Sequence, residues 1–282
     1  MKKSLFIFLI LLNFLFVIQV KAFSISPAKI IITTEKNNTE LVQIKIMNNE
    51  DQNNNFLVNV YNTSQNQDGT LDIIKDDSLK NWLYSKEKNI FIRANQEKII
   101  DFYIDVADYL YPGSHFFALS VTKLGEENIK TQLVSVLDLE IAGIVNENLS
   151  LNKLINNKIF FNKDLKFYTE FKNNSNVALN LEGQIKIKNI LGRQKYLKNI
   201  NLGNKLLTNV SRNLDINILE KENKIFWPGI YKAELNIKYG RTGQNISLEN
   251  IFVYLPVWFI ILLFILLLAI FIKIYYRKKY AK

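Results

Sequence analysis

The chain has no cysteine in its 282 residues. Disulfides, thiolate chemistry and Cys-type metal sites are therefore excluded, and a fold of this length rests on its apolar cores alone. Histidine is almost as scarce: His115 is the only one. A single imidazole builds no zinc site unless several carboxylates converge on it, and neither H-x-x-x-H nor H-E-x-x-H occurs. No Ser-His-Asp arrangement is suggested by the sequence, and G-x-S-x-G, P-loop and G-x-G-x-x-G patterns are absent. Ser64-x-Asn66-x-Asp68-Gly69 copies the start of a calcium loop, but Lys75 stands where a bidentate Glu is required. A hairpin turn at Asp68-Gly69 accounts for it better. The adjacent carboxylates Asp76/Asp77 and Glu126/Glu127 read as solvated charge. No enzyme activity, cofactor or metal is expected.

Two long apolar runs are present, and they differ. Leu5–Ile18 follows Lys2 and Lys3, is interrupted only by Asn13, and leads to Val20-Lys21-Ala22. This is the three-part pattern of a secretory signal over residues 1–22, with cleavage expected between Ala22 and Phe23. Leu255–Ile272 is unbroken, with Pro256 and Trp258 at its start and Lys273, Arg277, Lys278, Lys279 and Lys282 after it. Eighteen residues in a helix span roughly 27 Å, close to the hydrocarbon thickness. The expectation is one transmembrane helix, 255–274, and a basic cytoplasmic tail, 275–282, oriented by the positive-inside rule. The formal charge of +10 follows from this topology. Removing three basic residues with the signal and five with the tail from the 36 leaves 28 against 26 acidic, a net of +2. The high pI is then no argument for nucleic-acid binding.

Between the two runs the dominant period is two. Val42, Ile44 and Ile46 alternate with polar residues, as do Ile100, Phe102, Ile104 and Val106. Leu133–Ile141 and Ile185–Ile187 behave alike. These are half-buried antiparallel strands, punctuated by turn signals at Asn48–Asn55, Tyr111-Pro112-Gly113, Leu191-Gly192 and Trp227-Pro228-Gly229. One exception is Ser78–Tyr84, where Leu79, Trp82 and Leu83 predict a short helix capped near Asp76.

An internal repeat sharpens the reading. Residues 111–121 align without gaps on residues 227–237, both aromatic-Pro-Gly-x-ring-x-x-x-Leu-x-aliphatic. The strand and Asn-rich turn at Ile44–Asn49 match those at Tyr168–Asn174. Repeats at these spacings predict two domains of similar build. The fold class expected is all-β: two tandem immunoglobulin-like antiparallel β-sandwiches, 23–143 and 144–254, plus the C-terminal transmembrane helix. His115 occupies the slot of Tyr231, so a packing ring at a sandwich corner is its expected role.

Asn81-Trp82-Leu83, Ile90-Phe91-Ile92, Ile100–Val106 and Tyr111-Pro-Gly-Ser-His-Phe-Phe-Ala-Leu119 together resemble the N-terminal domain of the WxL-interacting proteins. Phe23-Ser-Ile-Ser-Pro27 fits as well. The resemblance covers Phe23 to about Val121. It implies a bacterial surface protein whose outer domain binds peptidoglycan and whose inner domain binds protein partners. The second domain is similar only in class and in its Trp227-Pro228-Gly229 turn. Two-sandwich ectodomains are also similar to periplasmic pilus chaperones, which carry no anchor. The function expected is a membrane-anchored extracellular binding module for cell-wall polymer, an envelope protein, or both. The alternative is a structural or chaperone-like assembly subunit with no polymer ligand. Candidate ligand-binding residues are Trp82, Tyr84, Tyr109, Tyr111 and His115, because rings near loop ends stack on sugars and open sheet edges accept strands.

Overall fold

The computed structural model describes residues 22–125, 131–203, 205–222, 224–225 and 227–280. The expected signal run Leu5–Ile18, the pair Glu126/Glu127 and Lys282 of the tail lie outside the described residues. Contacts divide the chain into two compact units. The first holds residues to Asn62, Ile74–Leu110 and Phe116–Leu139; the second holds Thr63–Ile73, Tyr111–His115 and Glu140 onward. The units are therefore not divided by a single cut near Gly143, because two short segments earlier in sequence cluster with the second.

The first ten strands are β1 (Ser24–Ser26), β2 (Lys29–Thr34), β3 (Thr39–Met47), β4 (Asn54–Gln65), β5 (Leu71–Ile74), β6 (Leu83–Tyr84), β7 (Asn89–Ile92), β8 (Glu97–Asp105), β9 (Gly113–Leu124) and β10 (Gln132–Ile141). They form one sheet in the order β1-β3-β8-β6 and another in the order β2-β10-β9-β4-β5, with β7 also on β4. The period of two does the sorting. On β3, Val42, Ile44 and Ile46 are buried and their neighbours exposed. Val42 lies opposite Phe102 and Ile44 opposite Ile100, which also point inward. Phe56, Phe117, Leu119, Val121, Leu137 and Leu139 of the other sheet are buried as well. The predicted helix at Ser78–Tyr84 is a 3₁₀ turn, Asp77–Asn81, capped by Asp76, whose carboxylate accepts from Ser78 N. It stops early because Leu83 and Tyr84 pair with Ile104 and Tyr103 as β6.

The second unit has β11 (Leu149–Leu151), β12 (Ile155–Asn156), β13 (Ile159–Phe160), β14 (Leu165–Asn173), β15 (Leu181–Asn189), β16 (Gln194–Ile200), β17 (Ser211–Ile218), β18 (Gly229–Tyr239) and β19 (Gln244–Tyr254). One sheet centres on β14, flanked by β17 and by β11 and β12; the other runs β13-β19-β18-β15-β16. Their inner faces share one core that includes Phe167, Phe171, Ile185, Ile187, Leu235 and Phe252. The strand order repeats that of the first unit. β11-β14-β17 corresponds to β1-β3-β8, and β13-β19-β18-β15-β16 to β2-β10-β9-β4-β5. In each unit the first segment starts in one sheet and continues in the other.

The sequence repeat takes physical form at two points. His115 Nε2 lies 2.8 Å from the carbonyl of Tyr111, and Tyr231 Oη donates to the carbonyl of Trp227 at 2.7 Å. Both rings reach back four residues over a Pro-Gly turn. Gly113 and Gly229 sit there at φ +125° and +155°, a region that side-chain-bearing residues avoid. The second point is a buried asparagine. Asn173 Nδ2 donates to the carbonyls of Val177, Leu206 and Leu207, and its Oδ1 accepts from Ser175 N. Asn48 does the same in the first unit, donating to Gln52, Ile92 and Arg93 and accepting from Glu50 N.

After β19 only Leu255 and Pro256 precede α1 (Val257–Tyr280). Over Val257–Arg277 this helix is long and apolar enough to cross a membrane.

Truncating Asn173 leaves buried carbonyls without donors, at about 1–3 kcal/mol for each group stranded. Asn173→Ala should lower the denaturant midpoint of the chain sharply, while Asn174→Ala, at an exposed position, should leave it near wild type. Equal midpoints for the two variants would remove the clamp role.

Candidate functional site

Edge strands are where a β-sandwich can accept another chain, because one row of N–H and C=O groups faces outward. The two units share a strand order but treat their edges differently. In the second unit, β13 is two residues long. β16 carries Lys195 and Lys198, of which Lys198 pairs with Glu222 at 3.1 Å, and Lys224 N bonds the Lys195 carbonyl. β17 has its outward N–H at Asn213 taken by the Gln67 carbonyl at 3.1 Å, within the same unit. Short length, charge and cover are the usual protections of an edge.

The corresponding edge of the first unit is β2, six residues reading Lys-Ile-Ile-Ile-Thr-Thr. It ends its sheet, with β10 on its inner side. Ile30 and Ile32 are half-buried, and Ile31 is 66% exposed. The only charge on the strand is Lys29, and that is neutralised by the buried Asp138 of β10 at 3.3 Å. Ala28 and Pro27 tie the strand's start to β10 by bonds from Val136 N at 3.0 Å and Ser135 Oγ at 2.7 Å. A firmly seated edge results, apolar and free of charge over Ile30–Ile32. β-propensity and a triple isoleucine announce the strand in sequence, but nothing in sequence says that it stands at an edge.

The aromatic candidates separate by environment. Trp82 is buried, edge-on to Phe117 at 5.1 Å, and packs the core of the first unit. Tyr109 and Tyr111 are exposed, Tyr111 at 83%. His115 is half-buried and tied to the Tyr111 backbone. Tyr84 is different: it stacks on Tyr103 across β6 and β8, centroids 5.8 Å apart and 23° from parallel. Lys86 Nζ lies 4.4 Å from the Tyr103 ring centre, and Leu41 stands across from Tyr103 on β3. Asp105 accepts from Tyr84 Oη and raises the phenol's pKa. Leu41, Tyr103 and Tyr84 thus make a row on the outer face of that sheet. Sequence reading found Tyr84 but not Tyr103 or Leu41, because their proximity depends on register.

The basic residues Lys195, Lys198 and Arg212 of the second unit differ in environment, Lys198 being exposed and Lys195 half-buried. Arg212 is buried, with its guanidinium donating to the Leu202 and Lys205 carbonyls at 2.7 and 3.1 Å, and burial lowers its pKa. Among the described residues no cluster of three metal-ligating side chains is found.

Burial, and then Glu222, push the Tyr196 phenol up to about 12. Burial raises Tyr231 and Tyr254 also. The fold favours the neutral phenol, so this stabilisation is complete below the unfolded value near 10 and is lost as pH rises toward 12. Unfolding midpoints should fall across that window, and Tyr196→Phe should flatten part of the fall. A profile unchanged by the substitution would contradict the assignment.

No family model matches the chain, and no curated protein matches it. Solved structures do. The chaperone CfaA of class 5 fimbriae is 10% identical, with a TM-score of 0.47 over 83% of this chain and 100% of that one. A chain of the chaperone–tip adhesin complex of CFA/I fimbriae biogenesis is 12% identical, with a TM-score of 0.46 over 83% and 99%. The Escherichia coli chaperone DraB is 7% identical, with a TM-score of 0.41 over 82% and 97%.

Proposed function

We propose that the chain is a membrane-tethered binding module of the cell envelope that takes up an extended segment of a partner protein by strand addition at β2. In this role it serves as a chaperone-like or assembly subunit. The observation that supports this most is the contrast between matching edges of one repeated topology. The edge in the second unit is two residues long, whereas β2 is six residues with three consecutive isoleucines. Main-chain bonds to an added strand would supply affinity, and Ile31 would supply an apolar contact on the outer face. The likeness to WxL-interacting proteins belongs to the same proposal, as a binder of surface protein. A secretory signal at 1–22, an ectodomain outside the cytoplasm and α1 as a single span complete it.

A second reading has an observation of its own. The Tyr84–Tyr103 stack, with Lys86 over one ring, is a surface on which a sugar of a cell-wall polymer would stack. The two readings separate in one experiment on the full-length chain, using Ile31→Lys and Tyr103→Ala. Capture of a discrete envelope protein should fall at least tenfold in Ile31→Lys and persist in Tyr103→Ala. Undiminished capture by Ile31→Lys removes strand addition at β2. Saturable, salt-resistant co-sedimentation with peptidoglycan sacculi that only Tyr103→Ala abolishes transfers the function to the aromatic row.

A further inference from the structure

The end of the second unit from which α1 emerges has an unusual surface. Register defines that end. Tyr254, the last residue of β19, pairs with Gly229 of β18 and Phe160 of β13, and Asn189, the last of β15, pairs with Tyr231. The turn after β15 and the segment leading into β18 therefore lie at the level where the chain passes through Leu255 and Pro256 into the helix. Turns at such a place are ordinarily polar, since they run over the surface in water. Here the tip between β15 and β16 is Ile190-Leu191, exposed at 72% and 75%, and Trp227 before β18 is exposed at 65%. Phe161 and Ile230 add apolar surface at the same end. Lys158, Arg193, Lys221 and Lys224 are exposed among them.

One contact fixes the depth of this rim. The Trp227 ring meets the Trp258 ring edge-on, with centroids 6.3 Å apart. Trp258 stands in the first turn of α1, where a spanning helix places its interfacial aromatics. Trp227 then lies at interfacial depth although it belongs to the β-unit. A two-residue connection leaves the unit little freedom to lift away.

We infer that this rim seats the second unit in the interfacial layer of the bilayer crossed by α1. Ile190, Leu191 and Trp227 reach the boundary between headgroups and acyl chains, and the exposed Lys and Arg side chains meet anionic headgroups. The inference rests on α1 being a span, and it is independent of what β2 binds. It makes the lipid surface a ligand of the β-unit itself.

The absence of cysteine makes the test direct. Leu191→Cys, Asn245→Cys and Leu266→Cys in the full-length chain are each labelled with an NBD fluorophore. The proteins are reconstituted in phosphatidylcholine vesicles with and without phosphatidylglycerol. Asn245 is nine residues up β19 from Tyr254, about 30 Å at ~3.4 Å per residue, and serves as the aqueous reference. The Leu191 label should emit to the blue of the Asn245 label. Spin-labelled lipid should quench it at least twofold more, and phosphatidylglycerol should deepen that quenching. A quenched Leu266 label with a Leu191 label indistinguishable from Asn245 would overturn the seating and leave the span intact. An unquenched Leu266 label would overturn both.

Discussion

A buried amide closes each sandwich where a disulfide is unavailable. Asn48 and Asn173 stand at the ends of matching strands, each donating to three carbonyls and accepting one backbone N–H. The carbonyls of Gln52, Arg93, Val177 and Leu207 lie in loops outside the sheet ladders, and unpaired buried polar groups are costly. The loops before β8 and β17 each turn through an asparagine with positive φ, Asn95 and Asn209. Removing the amide would leave the loops to seek water and would open the core beneath them. The strand alternation, the corner rings and the edges all presuppose that this end stays shut.

From that constraint the division of labour between the units follows. Both solve the same closure problem with the same strand order, so the differences between them carry the specific information. They differ at the edges: lysine, brevity and a covering carbonyl in one, an apolar strand of six residues in the other. The two Pro-Gly corners differ as well in the ring they carry, His115 at one and Tyr231 at the other. The imidazole does at its corner the same work as the phenol, binding a carbonyl four residues back.

Much of the architecture was legible because strands announce themselves by period. The alternation over Leu133–Ile141 falls on β10, and that over Ile185–Ile187 falls on β15. At the two Pro-Gly turns of the repeat, His115 and Tyr231 each reach a carbonyl four residues back. What stayed hidden depends on register and on which strand lies outermost. The triple isoleucine of β2 reads equally as a central strand, and Tyr103 becomes Tyr84's partner only through the pairing of β6 with β8. Asn48 and Asn173 looked like loop residues because asparagine is a turn former, whereas each is a wholly buried donor at the end of a strand. Arg212 is the opposite case: a charged side chain that backbone carbonyls hold inside.

The passage from β19 into α1 has a mechanical consequence. β19 is bonded along its length to β18, eleven residues in register from Gln244 to Tyr254, and at its last two residues to β13. A load applied through the helix would pull on the last residue of that strand, and its component along the strand acts at right angles to these bonds. The hydrogen bonds lie across the pull and are loaded in shear, so many must fail together before the strand leaves the sheet. A hairpin peeled from its tip breaks its bonds singly. The attachment point therefore has the geometry of a tether able to bear tension applied through α1.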